Sequence, residues 1–261
     1  MSVELRYGFV GTGAITKAIV SGLLAAPGPR PKITVSPRNA DIAADLAAKH
    51  PEVIVAADNQ EVVDKSDFVF LAIRPQIAAE VVPALRFRPE QTVISLIAAT
   101  RLEQLQTWMP TVARVTQAIP LPFVENRDGV TAIHPPDTEV EAIFSRVGTS
   151  LPCGTKDEYD LLATASATMS LYFGFMGRIV EWLQSNGMPE QAARAYMTAH
   201  FDSLSKVAVR QPEAALHTLA REFATKGGLN EQVWLDFDQR GGTRAVYEAL
   251  DRVHMRIKRS S

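Results

Sequence analysis

The sequence predicts two domains in series, an α/β domain followed by an all-helical one, and three observations carry that expectation. Short β-rich runs alternate with helix-length segments from Leu5 to about Gly148. After Leu151-Pro152-Cys153-Gly154-Thr155 only helical patterns follow. The 261 residues suffice for one large or two modest domains, at about 150 residues each. The expected division is 1–154 and 155–261.

In the first half, residues 6–10, 32–36, 68–73, 92–97, 111–117 and, more weakly, 129–133 read as strands. Helical patterns at 15–26, 40–49 and 76–85 separate them. That alternation predicts βαβ units around a parallel sheet. The near-continuous apolar runs fit strands covered on both faces. In the second half, residues 157–184 contain no proline and only Gly174 and Gly177 as breakers, which predicts one long helix. Leu161, Leu162, Met169, Leu171, Phe173, Phe175, Met176, Ile179, Val180 and Leu183 make it apolar on more than one face. Such a helix needs burial nearly all round, within its own domain or against a second copy. Gly187-Met188-Pro189 ends it, and Pro189 opens a helix to about Val209. Further helices are expected at 213–223, 229–239 and 243–258, punctuated by Gly227-Gly228 and Gly241-Gly242.

Composition narrows the function classes. Hydrophobic residues at 46% and charged residues at 21% exclude wholesale disorder. Lys plus Arg number 27 against 29 Asp plus Glu, a net charge of −2, which argues against a general nucleic-acid binder. Cys153 is the only cysteine, so a reducing cytoplasm is the expected compartment. Glu4 and Arg6 interrupt any signal-peptide pattern. The apolar stretches 66–73 and 171–180 fall short of the ~20 residues needed to cross a bilayer.

The strongest local signal is Tyr7-Gly8-Phe9-Val10-Gly11-Thr12-Gly13-Ala14-Ile15-Thr16. A strand ending in Gly-x-Gly and opening a helix supplies what a dinucleotide site needs: a tight turn and a backbone that a pyrophosphate can approach. Free N–H groups at the positive end of the helix then hold the phosphates. Thr16 replaces the third glycine of the usual fingerprint, and Gly-x-Gly alone is equally compatible with a plain turn. No carboxylate lies between Glu4 and Asp41, where an NAD site places the residue that reads the ribose hydroxyls. Ser36, Arg38 and Asn39 stand there instead. A guanidinium with hydroxyl and amide neighbours suits a 2′-phosphate, so NADP is expected over NAD.

The succession of Gly11-Thr12-Gly13, Ser36-Pro37-Arg38-Asn39, Asp58-Asn59, Ala72-Ile73-Arg74-Pro75-Gln76, Ile94-Ser95-Leu96-Ile97-Ala98, Gly187-Met188-Pro189 and Lys226-Gly227-Gly228 resembles pyrroline-5-carboxylate reductase, the NAD(P)H-dependent family that makes proline. The resemblance covers nearly the whole chain and is strongest in the first half. It implies a Rossmann-like dinucleotide-binding domain over 1–154. It also implies a helical domain over 155–261 that dimerises and completes each active site with the partner's residues. Gly11, Thr12, Gly13, Ala14 and Ile15 would cradle the pyrophosphate; Ser36, Arg38 and Asn59 would serve the adenosine end. Ala72, Arg74 and Pro75 would lie along the dinucleotide, and Ser95, Ala98 and Ala99 toward the nicotinamide. Arg74 stands where the family usually has Lys.

The departures fall near the expected substrate. The family's Arg-x-Met-Pro-Asn-Thr-Pro stretch is Gln117-Ala118-Ile119-Pro120-Leu121-Pro122-Phe123 here, without the Arg and the Asn. Its Ser-Gly-Ser-Gly-Pro-Ala-Tyr helix start is Ser166-Ala167-Thr168-Met169-Ser170-Leu171-Tyr172, and its Ser-Pro-Gly-Gly-x-Thr loop is Thr225-Lys226-Gly227-Gly228-Leu229-Asn230. These changes bear on the identity of the imino acid more than on the reaction class.

An iminium carbon is already electrophilic, so the main task is to hold hydride donor and acceptor in line. A strong side-chain acid is not obligatory. The histidines at 50, 134, 200, 217 and 254 make no metal-ligand or triad spacing, and His134, before Pro135-Pro136, is the one set in a loop of interest. A substrate carboxylate needs an anion site. Gly227-Gly228 before a helix supplies N–H groups, with Thr225 and Lys226 adjacent and Asn230 placed to bond the imine nitrogen or a carboxylate oxygen. Without the resemblance the same residues read as a glycine turn beside an exposed Lys. Tyr159 and Tyr172 read as core or interface aromatics. Two rivals stand beside this reading. One is a different dehydrogenase on a related plan, such as a deazaflavin-linked NADP reductase or a β-hydroxyacid dehydrogenase; the latter's Lys and Asn four residues apart is absent, since Arg210 follows Lys206. The other is a dinucleotide-binding protein that has lost catalysis.

Overall fold

A computed structural model describes residues 5–260. Strands and helices alternate from the start: β1 (Arg6–Val10), α1 (Ala14–Ala25), β2 (Lys32–Val35), α2 (Ala40–Lys49), β3 (Val53–Val55), α3 (Asn59–Asp64), β4 (Phe68–Leu71), α4 (Pro75–Val81), β5 (Thr92–Ser95), α5 (Leu102–Trp108) and β6 (Arg114–Pro120). A 3-10 turn at Pro122–Asn126, β7 (Gly129–His134), α6 (Thr138–Ser145) and β8 (Gly148–Pro152) complete the sheet region. Strands lie in the order β3-β2-β1-β4-β5-β6-β7-β8. All neighbours are parallel except β6 and β7, which pair antiparallel with Gln117 opposite His134. The order reverses between β1 and β4, and the crevice outside the carboxyl ends of such strands is where doubly wound sheets bind ligands.

Local chemistry sets the helix starts. Asp58 caps α3 by accepting from the Glu61 N–H at 2.8 Å, and Asp137 caps α6 by accepting from Glu139 and Val140. Pro75 occupies the first turn of α4, where its missing N–H costs nothing. The sheet is covered on both faces. One core holds Phe9, Ile19, Leu23, Ile33, Phe70 and Phe144, and the other holds Val10, Val69, Leu71, Val93 and Leu105. Phe9 and Phe70 stack at 4.4 Å across β1 and β4. A fully buried side chain of this kind contributes roughly 1.5–3 kcal/mol and a surface ion pair about 0–1, so the two apolar layers outweigh the surface pairs. β3 and β8 have no counterpart among the predicted strands. They lie at the sheet edges, with Ile54, Val55 and Leu151 exposed, and so lack the continuous apolar run that marks a central strand.

The rest is helical: α7 (Lys156–Ser166), α8 (Met169–Ser185), α9 (Glu190–Arg210), α10 (Leu216–Phe223), α11 (Leu229–Gln239) and α12 (Gly242–Ser260). The single helix expected over 157–184 is two helices. Around Ala167 and Thr168 the bonding tightens: the N–H groups of both donate three residues back, to Thr164 and Ala165. The Thr168 hydroxyl also donates to the Ala165 carbonyl at 2.7 Å, competing for the acceptor that a continuing helix would use. Gly174 and Gly177 stay inside α8. The chain forms two compact units, 164–253 and the remainder of the described residues. The unit that contains the sheet therefore keeps the start of α7, beyond the expected boundary at 154–155. Tyr159 of α7 is buried with Ala132 and Cys153, and this cluster fastens the helix start to β7 and the end of β8.

Candidate functional site

The loops that follow β1, β2, β3, β4 and β5 all open at the carboxyl edge of the parallel strands. These loops, with the last residue of β5 and the first residues of α1, α3 and α4, carry the residues expected to hold a dinucleotide. Gly11 has φ +103°, and a Cβ there would lie 2.4 Å from the Ala72 carbonyl oxygen, so the β1 and β4 loops can meet only through a glycine. A Cβ on Gly13 would meet nothing within 4 Å. Gly13 caps α1 without a side-chain bond, which leaves space in front of a helix N-terminus that a pyrophosphate fits. Ala14 is exposed and Ile15 half-buried beside it. Arg74 and Pro75 are exposed next to Ala72.

The side chain of Ser36 is fully buried, and so is not displayed at the surface where the phosphate was expected. Its Oγ accepts from the Gly11 N–H at 3.0 Å and lies 3.1 Å from the Thr12 Oγ1. Thr12, buried as well, donates to the Ser36 carbonyl at 2.7 Å. Thr16 explains the missing third glycine: its hydroxyl turns back to the Gly11 carbonyl at 2.7 Å. Arg38 is exposed, and among the described residues no carboxylate pairs with it. Asn39 is left-handed (φ 65°) and caps α2, with its side chain exposed. Asn59 is half-buried at the start of α3, on the same side of β1 as Arg38.

Ser95 is also buried, its Oγ accepting from the Ile97 N–H at 3.3 Å, whereas Ala98 and Ala99 are exposed. Ala99 has φ 50°. Register places Ser95, Gln117 and His134 in one row across β5, β6 and β7. Gln117 is buried and donates its Nε2 hydrogen to the Thr100 carbonyl at 2.6 Å, which ties β6 to the Ala98–Ala99 loop. His134 Nδ1 lies 3.0 Å from the Cys153 carbonyl. A carbonyl only accepts, so Nδ1 carries the hydrogen in this contact. Tyr159 is buried, and burial pushes its phenol far above the usual range, which suits a core residue.

The glycine pair of the second unit is more occupied than the sequence suggests. Gly227 is left-handed (φ 74°), and Gly228 caps α11. The Gly227 N–H donates to a Glu231 carboxylate oxygen at 2.6 Å, and the Gly228 N–H donates to the Thr225 carbonyl at 2.8 Å. The side-chain amide of Asn230 donates to the Phe223 carbonyl at 2.8 Å. Thr225, Lys226 and Asn230 are exposed. Glu231 already puts a carboxylate at this helix start, a contact missed in the sequence. Its signal was available: an acid three residues after the cap is the spacing of a capping box.

Comparison with known proteins shows what this chain is similar to. Residues 6–99 match the family model described as NADP oxidoreductase coenzyme F420-dependent. A pyrroline-5-carboxylate reductase from Pasteurella multocida is 28% identical over 257 residues, covering 93% of this chain and 92% of that one. The structure of a pyrroline-5-carboxylate reductase from Coxiella burnetii has the same fold, with a TM-score of 0.84 at 23% identity over 100% of this chain and 99% of that one. So does the Plasmodium falciparum pyrroline carboxylate reductase solved with NADP bound, with a TM-score of 0.83 at 14% identity over 98% of each chain.

Proposed function

We propose that this chain, a member of the pyrroline-5-carboxylate reductase family, reduces a cyclic imino acid with NADPH, converting 1-pyrroline-5-carboxylate to proline, as a cytoplasmic homodimer. The observation that carries the reading is the crevice where the β1 and β4 loops meet. Gly13 leaves it open in front of α1, and Arg38 stands at its β2 side without a carboxylate partner among the described residues. No helix among those residues is long and apolar enough to cross a membrane.

The reduced dinucleotide, when bound, supplies the hydride. Main-chain N–H groups from Gly13 to Ile15 hold its diphosphate, and Arg38 and Asn39 take the 2′-phosphate. Asn59 lies on the adenosine side, and Ala72, Arg74 and Pro75 border the dinucleotide. Ala98 and Ala99 present a small-residue backbone to the nicotinamide end, held from beneath by Gln117. On the helical unit, Lys226 attracts the substrate carboxylate. Leu229 and Asn230 offer N–H groups at the start of α11, and Glu231 swings away to release that of Gly227. The Asn230 amide orients the imine nitrogen. A second reading, reduction of a different cyclic imine or an oxo acid, is supported by Gln117, Leu121 and Asn230 standing where the family has Arg, Asn and Thr.

The deciding experiment measures NADPH consumption with 1-pyrroline-5-carboxylate and a panel of other cyclic imines and 2-oxo acids. Turnover of 1-pyrroline-5-carboxylate above the rest is the expected result. NADPH binding without turnover of any member would mean a dinucleotide-binding protein without catalysis.

A further inference from the structure

The residues that follow β2 beside the glycine loop divide into two kinds, and proton bookkeeping separates them. Thr12 has one hydroxyl hydrogen, and it goes to the Ser36 carbonyl, which can only accept. In the 3.1 Å contact between the two hydroxyls, the donor must therefore be Ser36. The Ser36 Oγ in turn accepts from the Gly11 N–H. Both hydroxyl hydrogens are used inside a closed ring that is buried at Ser36 and Thr12 alike. What remains on Ser36 is a lone pair, which repels a phosphate oxygen rather than binding it.

We propose that Ser36 and Thr12 form a clasp that sets the Gly11–Gly13 loop for either dinucleotide, and that they take no part in choosing the 2′-phosphate. The inference rests on the dinucleotide reading above. Ser36 is a positioning residue: it holds Gly11 in the left-handed conformation, at φ +103°, that brings the loop against Ala72. The choice between NADPH and NADH falls to Arg38 and its exposed neighbour Asn39. The clasp and the phosphate reader are thus separable, although only Pro37 lies between Ser36 and Arg38.

The test is titration of the full-length protein and its variants with NADPH, NADH, ADP-ribose and 2′-phospho-ADP-ribose, with Tm recorded for each. Ser36→Ala removes one hydrogen-bond partner of a buried N–H, and Thr12→Val removes the other hydroxyl. Each should raise Kd for phosphorylated and unphosphorylated ligands by the same factor, roughly three- to tenfold, with their ratio unchanged. Thr12→Ser keeps the hydroxyl and should recover most of the loss seen in Thr12→Val. A rise confined to the phosphorylated ligands in Ser36→Ala would overturn the inference, because Ser36 would then read the phosphate. An unchanged Kd for all four ligands in a folded Ser36→Ala would also overturn it. If Ser36→Ala does not fold, Thr12→Val and Thr12→Ser carry the same decision. A parent protein that binds none of the four would sink the dinucleotide reading itself, and the inference with it.

Discussion

Arg38 is exposed, and among the described residues no carboxylate neutralises it, so its full charge is available to a ligand. A charge-assisted phosphate contact is worth ~1.5–3 kcal/mol, and Arg38→Ala should weaken NADPH roughly ten- to a hundredfold. NADH should be nearly unaffected. Equal losses for both cofactors in paired titrations would mean that Arg38 does not read the 2′-phosphate. Glu231 presents the opposite situation. Its carboxylate holds the Gly227 N–H at 2.6 Å, where the substrate carboxylate is expected. Glu231→Gln keeps the shape and removes the like charge, so KM for the imino acid should fall, by about threefold to tenfold if the gain is near 1 kcal/mol. Steady-state kinetics check this, and a raised KM would place the carboxylate elsewhere.

At the scale of elements, the Thr225–Asn230 turn has little room to change. A Cβ on Gly228 would lie 2.8 Å from the Thr225 carbonyl oxygen, so Gly228→Val must move the start of α11. A displacement near 1 Å can cost about a hundredfold, and kcat/KM should fall by that order while NADPH affinity holds. Loss of both together would instead indicate global damage. The turn also illustrates what could be read from sequence. Gly227-Gly228 before a helix was legible because a tight turn and a left-handed residue demand glycine, and α11 begins one residue later. That Glu231 folds back on the Gly227 N–H was encoded only as a spacing. The central strands were legible through their apolar runs, whereas β3 and β8 were not, because edge strands need burial on fewer sides. The break at Ala167–Thr168 carried no glycine or proline; it arises from a hydroxyl competing for a carbonyl. The glycine loop was legible too, but the burial of Ser36 depends on register between β1 and β2, which single-strand patterns do not contain.

The whole molecule poses a problem that one chain leaves open. α8 is apolar on several faces, yet no residue of it is buried in the single chain. Phe173 is 60% exposed and Trp182 63%, and α11 adds Trp234 at 54%. Monomeric proteins rarely leave so large a contiguous apolar surface in water, and patches of this kind mark interfaces. At 1.5 Å per residue, the 17 residues of α8 present a strip about 25 Å long, enough for a helix of a second copy to lie along. If the proposed homodimer pairs through the helical unit, light scattering at micromolar concentration should return twice the chain mass. Thermal unfolding should then shift upward with protein concentration, as mass action requires of a folded dimer. Introducing charge into one face of the strip with Leu171→Glu and Trp182→Glu, both exposed and three helical turns apart, should yield monomers. If the partner completes the substrate site, those monomers lose turnover yet still bind NADPH through the β1 and β2 loops. Monomers that keep full turnover would show that each chain carries a whole active site, and a parent protein that scatters as a monomer would remove the dimer altogether.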